Sequence, residues 1–127
     1  TAMGLVRRGA GEPAPTAEER EAEAMRVIEL ADQEIIAKGI TSFQDAGSSF
    51  TDVERFKRAI DTGRLKSRLW VMIRGGGSPE QLSRGRLIDY GNKHLTVRAI
   101  KITVDGALGS RGAWLLAPYS DQVQSSG

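Results

Sequence analysis

A lysine set in an otherwise apolar strand is the residue of this chain best placed for chemistry. The run Val97 to Asp121, VRAIKITVDGALGSRGAWLLAPYSD, reads as a strand that passes directly into a glycine-punctuated polar loop. Side chains alternate across a strand, so Ile100, Ile102 and Val104 share one face while Ala99, Lys101, Thr103 and Asp105 share the other. In a parallel α/β barrel the apolar face meets the outer helices, and the second face points inward, towards the C-terminal mouth where active sites are built. Lys101 then lies inside. Desolvation favours the neutral amine, which can bind an electrophile or combine with carbon dioxide to give a carbamate. A carbamate is a carboxylate on a long arm, and its oxygens can bridge divalent metals. The competing reading is a strand lysine that meets solvent at a sheet edge or pairs with a carboxylate such as Asp105.

The loop after Lys101 carries the other candidates. Gly106, Gly109 and Gly112 permit tight turns, Ser110 offers a donor, and Arg111 offers a fixed positive charge for a substrate carboxylate or carbonyl. The reading favoured over this for Arg111 is a structural ion pair with Asp105 or Asp121, a staple that glycine-rich loops often need. Trp114, Leu115 and Leu116 read as packing residues.

The preceding elements must position these groups. Thr1 to Pro15 is rich in glycine and proline and reads as a linker or loop. Thr16 and Glu19 form a capping box, and Met25, Ile28, Ala31 and Ile35 recur at helical spacing up to Lys38 and Gly39. Glu18, Glu19, Glu21 and Glu23 suit the positive end of that helix dipole better than a catalytic role. Ile40 to Gln44 reads as a short strand, which places Asp45 at a strand end, either on a catalytic rim or in a turn with Gly47. Thr51 or Asp52 starts a second helix with Val53, Phe56 and Ile60 inside, and Leu69 to Ile73 has the continuous apolar character of a covered parallel strand. Arg74 to Pro79 then leads into a third helix, capped by Ser78 and running through Leu82, Leu87 and Ile88 to Gly91. Its Gly75–Gly77 turn lacks the Gly-Lys-Ser/Thr ending of a P-loop and reads as a rim loop. Strands alternating with helices predict right-handed βαβ units and a parallel sheet.

Three pieces of the chain, GITSFQDAG at Gly39 to Gly47, IKITVDGALGSRGAWL at Ile100 to Leu115 and APYSD at Ala117 to Asp121, resemble the amidohydrolase superfamily, family-3 branch, which includes N-substituted formamide deformylases. The resemblance implies an α/β fold, part of a TIM (β/α)8 barrel, with residues 16–121 supplying about strands two to four and their helices. It fades over 122–127. It further implies a metal-dependent hydrolase that cleaves an amide or other C–N bond of a small molecule with metal-activated water. Lys101, carboxylated at the end of the fourth strand, is the implied metal ligand, zinc the expected metal as one or two ions, and Asp45, Asp105, Ser110 and Arg111 are the candidate substrate contacts. The superfamily also places a His-x-His pair on its first strand, histidines after its fifth and sixth, and an aspartate after its eighth. This chain has one histidine, His94, in a connecting position. A minimal barrel needs roughly 200 to 250 residues. The 127 residues, beginning at Thr1 and ending Ser-Ser-Gly, are therefore expected to be a piece of a longer protein and inactive alone.

Composition narrows the function classes. A hydrophobic fraction of 39% and a charged fraction of 27% are those of a globular protein. No apolar run approaches the roughly 20 residues that cross a bilayer, no secretion signal is apparent, and the chain has no cysteine, so no membrane partner is expected and a cytoplasmic location is the default. The formal net charge is +2 and the basic residues are scattered, without the stripe that nucleic acid requires. Open sheet edges in a partial barrel allow self-association. The rival function is a non-catalytic βα module that binds an anion or a protein partner through the Gly75–Gly77 and Gly106–Gly112 loops.

Overall fold

Reciprocal side-chain caps set where the helices begin. Thr16 Oγ1 accepts from the Glu19 amide at 3.1 Å while the Glu19 carboxylate accepts from the Thr16 amide at 2.7 Å, and α1 runs from there as Ala17–Ala37. The same box at Ser49 and Asp52 opens α2, Phe50–Asp61, and at Ser78 and Gln81 it opens α3, Pro79–Ser83. Gly39, at φ +77°, releases the chain from α1. The computed structural model describes residues 14–127, so all but the last two residues of the expected linker over 1–15 lie outside the described residues.

Three strands, β1 (Ser42–Ser48), β2 (Arg68–Arg74) and a later strand, Leu95–Lys101, run parallel, as the βαβ reading requires. The expected third helix is corrected: it stops at Ser83, and Leu87–Asp89 forms a short strand, β3, antiparallel to the Leu95–Lys101 strand, β4. The sheet order is β1-β2-β4-β3. Leu82, Leu87 and Ile88 fit a helical spacing, but Gly85 turns the backbone left-handed at φ +75°. Asp89, Gly91, Asn92 and Lys93 are left-handed too, so the link into β4 is a tight turn over Tyr90–Lys93.

The hydrophobic core lies between α2 and one face of the sheet. Val71, Ile73, Leu95 and Val97 meet Val53 of α2, and Phe50, Phe56 and Ile60 close around them. A bulge in β4 sets which residues share that face, because Val71 pairs with Val97 but Met72 pairs with Ala99, leaving Arg98 as the extra residue. Beyond the bulge, Ile100 pairs with Ile73 on the helix side, while Ala99 and Lys101 pair with Met72 and Arg74 on the opposite side. The expected split of Ile100 from Lys101 is observed, whereas its extension to Ile102 and Val104 is corrected. β4 ends at Lys101, and those two residues lie past it, 71% and 92% exposed.

Asp32 anchors α1, a role that helical periodicity did not reveal. It is 4% exposed, and its carboxylate accepts from the backbone amides of Lys66 at 3.0 Å and Ser67 at 2.9 Å, just before β2. Burial works against the charged form, but the donors of Ser67 and Lys66 and the Lys66 charge outweigh it and hold the carboxyl below the usual aspartate range. Because the folded-state value is depressed, the stabilisation is present above the unfolded value of about 4 and is lost as pH falls through the folded value. Asp32→Asn is expected to cost about 2 kcal/mol at neutral pH and to remove this part of the acid-side loss. Urea midpoints between pH 7 and pH 3 measure both effects; parallel stability curves for the two proteins would contradict the pH assignment. Arg55 adds a second tie between helices, its Nε and Nη2 donating to Glu21 of α1 at 3.0 and 2.9 Å while Nη1 donates to Asp52 at 2.8 Å.

Candidate functional site

The C-terminal ends of three parallel strands, Ser48, Arg74 and Lys101, lie along one edge of the structure. This is the end of an α/β sheet where sites are normally built. Lys101 is the last residue of β4, half-buried, on the face away from the helices, and it takes part in none of the ion pairs among the described residues. Its register partner is Arg74.

The remaining sequence candidates do not converge on Lys101. Asp45 is corrected in place: β1 continues to Ser48, so Asp45 sits inside the strand rather than at its end. It pairs in register with Val71 on the helix-facing side, and its carboxylate accepts from the Gly47 amide at 2.8 Å and Ser48 Oγ at 2.9 Å, a turn-forming role. Asp105 accepts from the Trp114 amide at 3.0 Å. Ser110 Oγ donates to the Ala107 carbonyl at 3.2 Å. Arg111 forms the bidentate pair with Asp121, Nε to Oδ1 at 3.0 Å and Nη2 to Oδ2 at 2.5 Å. That hydrogen bond holds the Asp121 carboxyl below its ordinary value and raises the guanidinium further. These residues brace the loop. The Gly106 amide donates to the Gly112 carbonyl at 2.9 Å and the Gly112 amide to the Ala107 carbonyl at 3.0 Å, and a Cβ on Gly106 would lie 2.2 Å from the Gly112 carbonyl oxygen, so a side chain is excluded there. Trp114 and Leu116, read from the sequence as packing residues, are corrected: they are 81% and 110% exposed, and Tyr119 is the buried residue of this segment, its hydroxyl donating to the Ala113 carbonyl.

Sequence reasoning missed Arg74. It closes the apolar run of β2, and a charged residue at the last position of a covered strand was the available signal. Its Nε donates to the Gly47 carbonyl at 3.2 Å. A Cβ built on Gly47 would lie 2.6 Å from Arg74 Nη2 and 2.8 Å from Cζ, so the guanidinium rests against that glycine.

A groove of about 630 Å³ opens between α1, α2 and β1, with Ile28, Ile35, Phe43 and Phe56 among its lining residues. It lies on the helix side, away from Lys101. His94 is half-buried, its Nδ1 donating to the Gly91 carbonyl at 2.6 Å, a local contact in the turn before β4. Among the described residues no group of three or more His, Cys, Asp or Glu side chains is disposed to hold a metal ion. The described residues thus do not by themselves make a metal centre. No helix among the described residues is long and apolar enough to cross a membrane.

The model of the amidohydrolase family matches residues 1–127. The chain belongs to the amidohydrolase family. Two solved structures are similar to this chain, both uncharacterized metal-dependent hydrolases. One, from Pyrococcus horikoshii OT3, is 24% identical with a TM-score of 0.64, covering 84% of this chain and 22% of that one. The other, from Pyrococcus furiosus, is 25% identical with a TM-score of 0.64, covering 84% of this chain and 23% of that one. No curated protein matches the amidohydrolase chain. The sequence therefore spans less than a quarter of the length of the solved hydrolases, and its sheet and helices are part of a (β/α) barrel.

Proposed function

We propose that this amidohydrolase sequence forms about strands two to four of a metal-dependent hydrolase that cleaves an amide or other C–N bond of a small molecule, with Lys101 carboxylated as a metal ligand. The observation that carries the reading is the position of Lys101. It ends a parallel strand, faces away from the helices, and has no counter-charge among the described residues. Its carbamate would convert an uncompensated cation into an anionic oxygen donor, the change a divalent cation requires. When bound, the metal supplies activation of water and polarisation of the substrate carbonyl, and zinc is the ion we propose. Asp105, Ser110 and Arg111 contribute by holding the loop that follows the lysine in one conformation, through the Trp114, Ala107 and Asp121 contacts.

Family membership and the two metal-dependent hydrolases of similar fold support this reading. The anion-binding alternative gains nothing from the Gly75–Gly77 turn. α3 has only five residues, and its capping box already uses the Ser78 and Gln81 amides.

Elemental analysis tests the reading. Zinc is expected in the longest natural polypeptide that carries this sequence, lost on Lys101→Ala, and absent from the 127-residue chain, which should show no metal-dependent turnover. A metal-free long polypeptide, or one whose metal is indifferent to Lys101→Ala, would remove the ligand assignment.

A further inference from the structure

We propose that Arg111 and Asp121 are positioning residues whose ion pair latches two closed loops together beside the Lys101 strand end, opening to admit substrate and closing to retain it. The inference rests on the hydrolase reading above and adds to it how access to that site is controlled.

Each loop closes on itself. In the first, 105–114, the Asp105 carboxylate accepts from the Trp114 amide at 3.0 Å, and backbone bonds tie Gly106 to Gly112 and Gly112 to Ala107. In the second, 115–126, the Leu115 amide donates to the Ser126 carbonyl at 2.8 Å and the Tyr119 amide to the Ser125 carbonyl at 3.0 Å. Compact loops with joined ends hold their own shape.

The links between the two fall at a near point and a far one. Tyr119, 8% exposed, donates its hydroxyl to the Ala113 carbonyl at 2.8 Å, next to the junction of the loops. Gly127 lies there too, where a Cβ would come 2.4 Å from the Ala113 oxygen. Away from the junction, the Arg111–Asp121 pair is the only hydrogen-bonded link between the loops among the described residues. A buried contact at the junction and an ion pair beyond it make a pivot and a catch. The side chains of the pair are 43% and 60% exposed, so water and salt compete for both charges and the catch opens readily. Arg111 also sits at φ +58°, a left-handed backbone that a long side chain adopts at a cost the pair offsets. The root of the first loop stays fixed, because the Lys101 carbonyl accepts from the Gly75 amide at 2.8 Å where β4 ends. Opening therefore swings 115–126 away while Lys101 keeps its place.

The test uses the longest natural polypeptide, with zinc and the chromogenic amide 4-nitroacetanilide. Arg111→Asn removes the charge with a residue that tolerates the left-handed backbone, and should raise KM roughly fivefold while kcat stays within about twofold. A merely structural tie would instead lower the active fraction, and so kcat, at constant KM. The reversed pair, Arg111→Asp with Asp121→Arg, should restore the wild-type KM. Independently of turnover, a nitroxide on Val123→Cys should broaden the Trp114 indole resonance, and either Arg111→Asn or about 0.5 M salt should relieve the broadening. Broadening indifferent to Arg111→Asn, or a loss in kcat alone, overturns the latch. Relief of the broadening in a polypeptide that hydrolyses no amide leaves the latch in place and removes the hydrolase reading.

Discussion

Lys101→Ala in the longest natural polypeptide is expected to lower kcat/KM by about two to four orders of magnitude. Removing one metal ligand forfeits stabilisation worth several kcal/mol in the transition state, and each 1.4 kcal/mol or so is a factor of ten. Little of the loss should come from unfolding. Lys101 is the terminal residue of β4, half-buried and without side-chain partners among the described residues, so truncation leaves no unpaired buried group behind. Lys101→Glu separates the ligand role from a general need for bulk or positive charge. It restores a carboxylate on a shorter arm and should retain more metal than Lys101→Ala, whereas Lys101→Met should match alanine. Depleting carbon dioxide from the buffer should reduce wild-type activity and leave the glutamate variant unaffected. Retention of activity within tenfold in the alanine variant, with metal still bound, would make the lysine structural.

Leu95→Ala should destabilise the fold by about 3 kcal/mol. Leu95 is fully buried beside Val71 and Val97, under the helix side of the sheet, and is among the largest side chains with no exposure at all. Its truncation removes apolar burial and leaves a cavity that the flanking strands can close only in part, the combination that makes buried leucine substitutions cost between about 2 and 5 kcal/mol. Leu116→Ala is the control. Leu116 is 110% exposed, and a change there should stay within about 0.5 kcal/mol. Chemical denaturation of both variants decides the matter, and similar midpoints for the two would mean that the core lies elsewhere than the Val53, Val71, Leu95 and Val97 cluster.

Much of the scaffold was legible because its signals are local. Thr16 with Glu19 announced α1, Val53, Phe56 and Ile60 announced the inner face of α2, and the unbroken apolar run at Leu69–Ile73 announced a covered strand, as observed. Lys101 was also placed on the face opposite Ile100, since alternation is a property of the strand itself. The misreadings share a cause. Leu82, Leu87 and Ile88 are compatible with a helix and with a helix followed by a strand, and the choice was made by left-handed backbone at Gly85 and by pairing with Val97 across the sheet.

By itself the sequence determined the capped helices, the covered strands, the family-specific segments around Gly39–Gly47 and Ile100–Leu115, and a lysine on the face of the last parallel strand opposite Ile100, because caps, periodicity and motifs are read within a few residues. Tertiary structure decided the rest. Asp32 became an anchor only when Lys66 and Ser67 brought their amides to it from 34 and 35 positions away. The Arg74 guanidinium came to rest against the backbone only because Gly47, on the neighbouring strand, has no side chain in its way. Such roles depend on which chain segments come to lie side by side, and spacing along a single strand or helix carries no record of that.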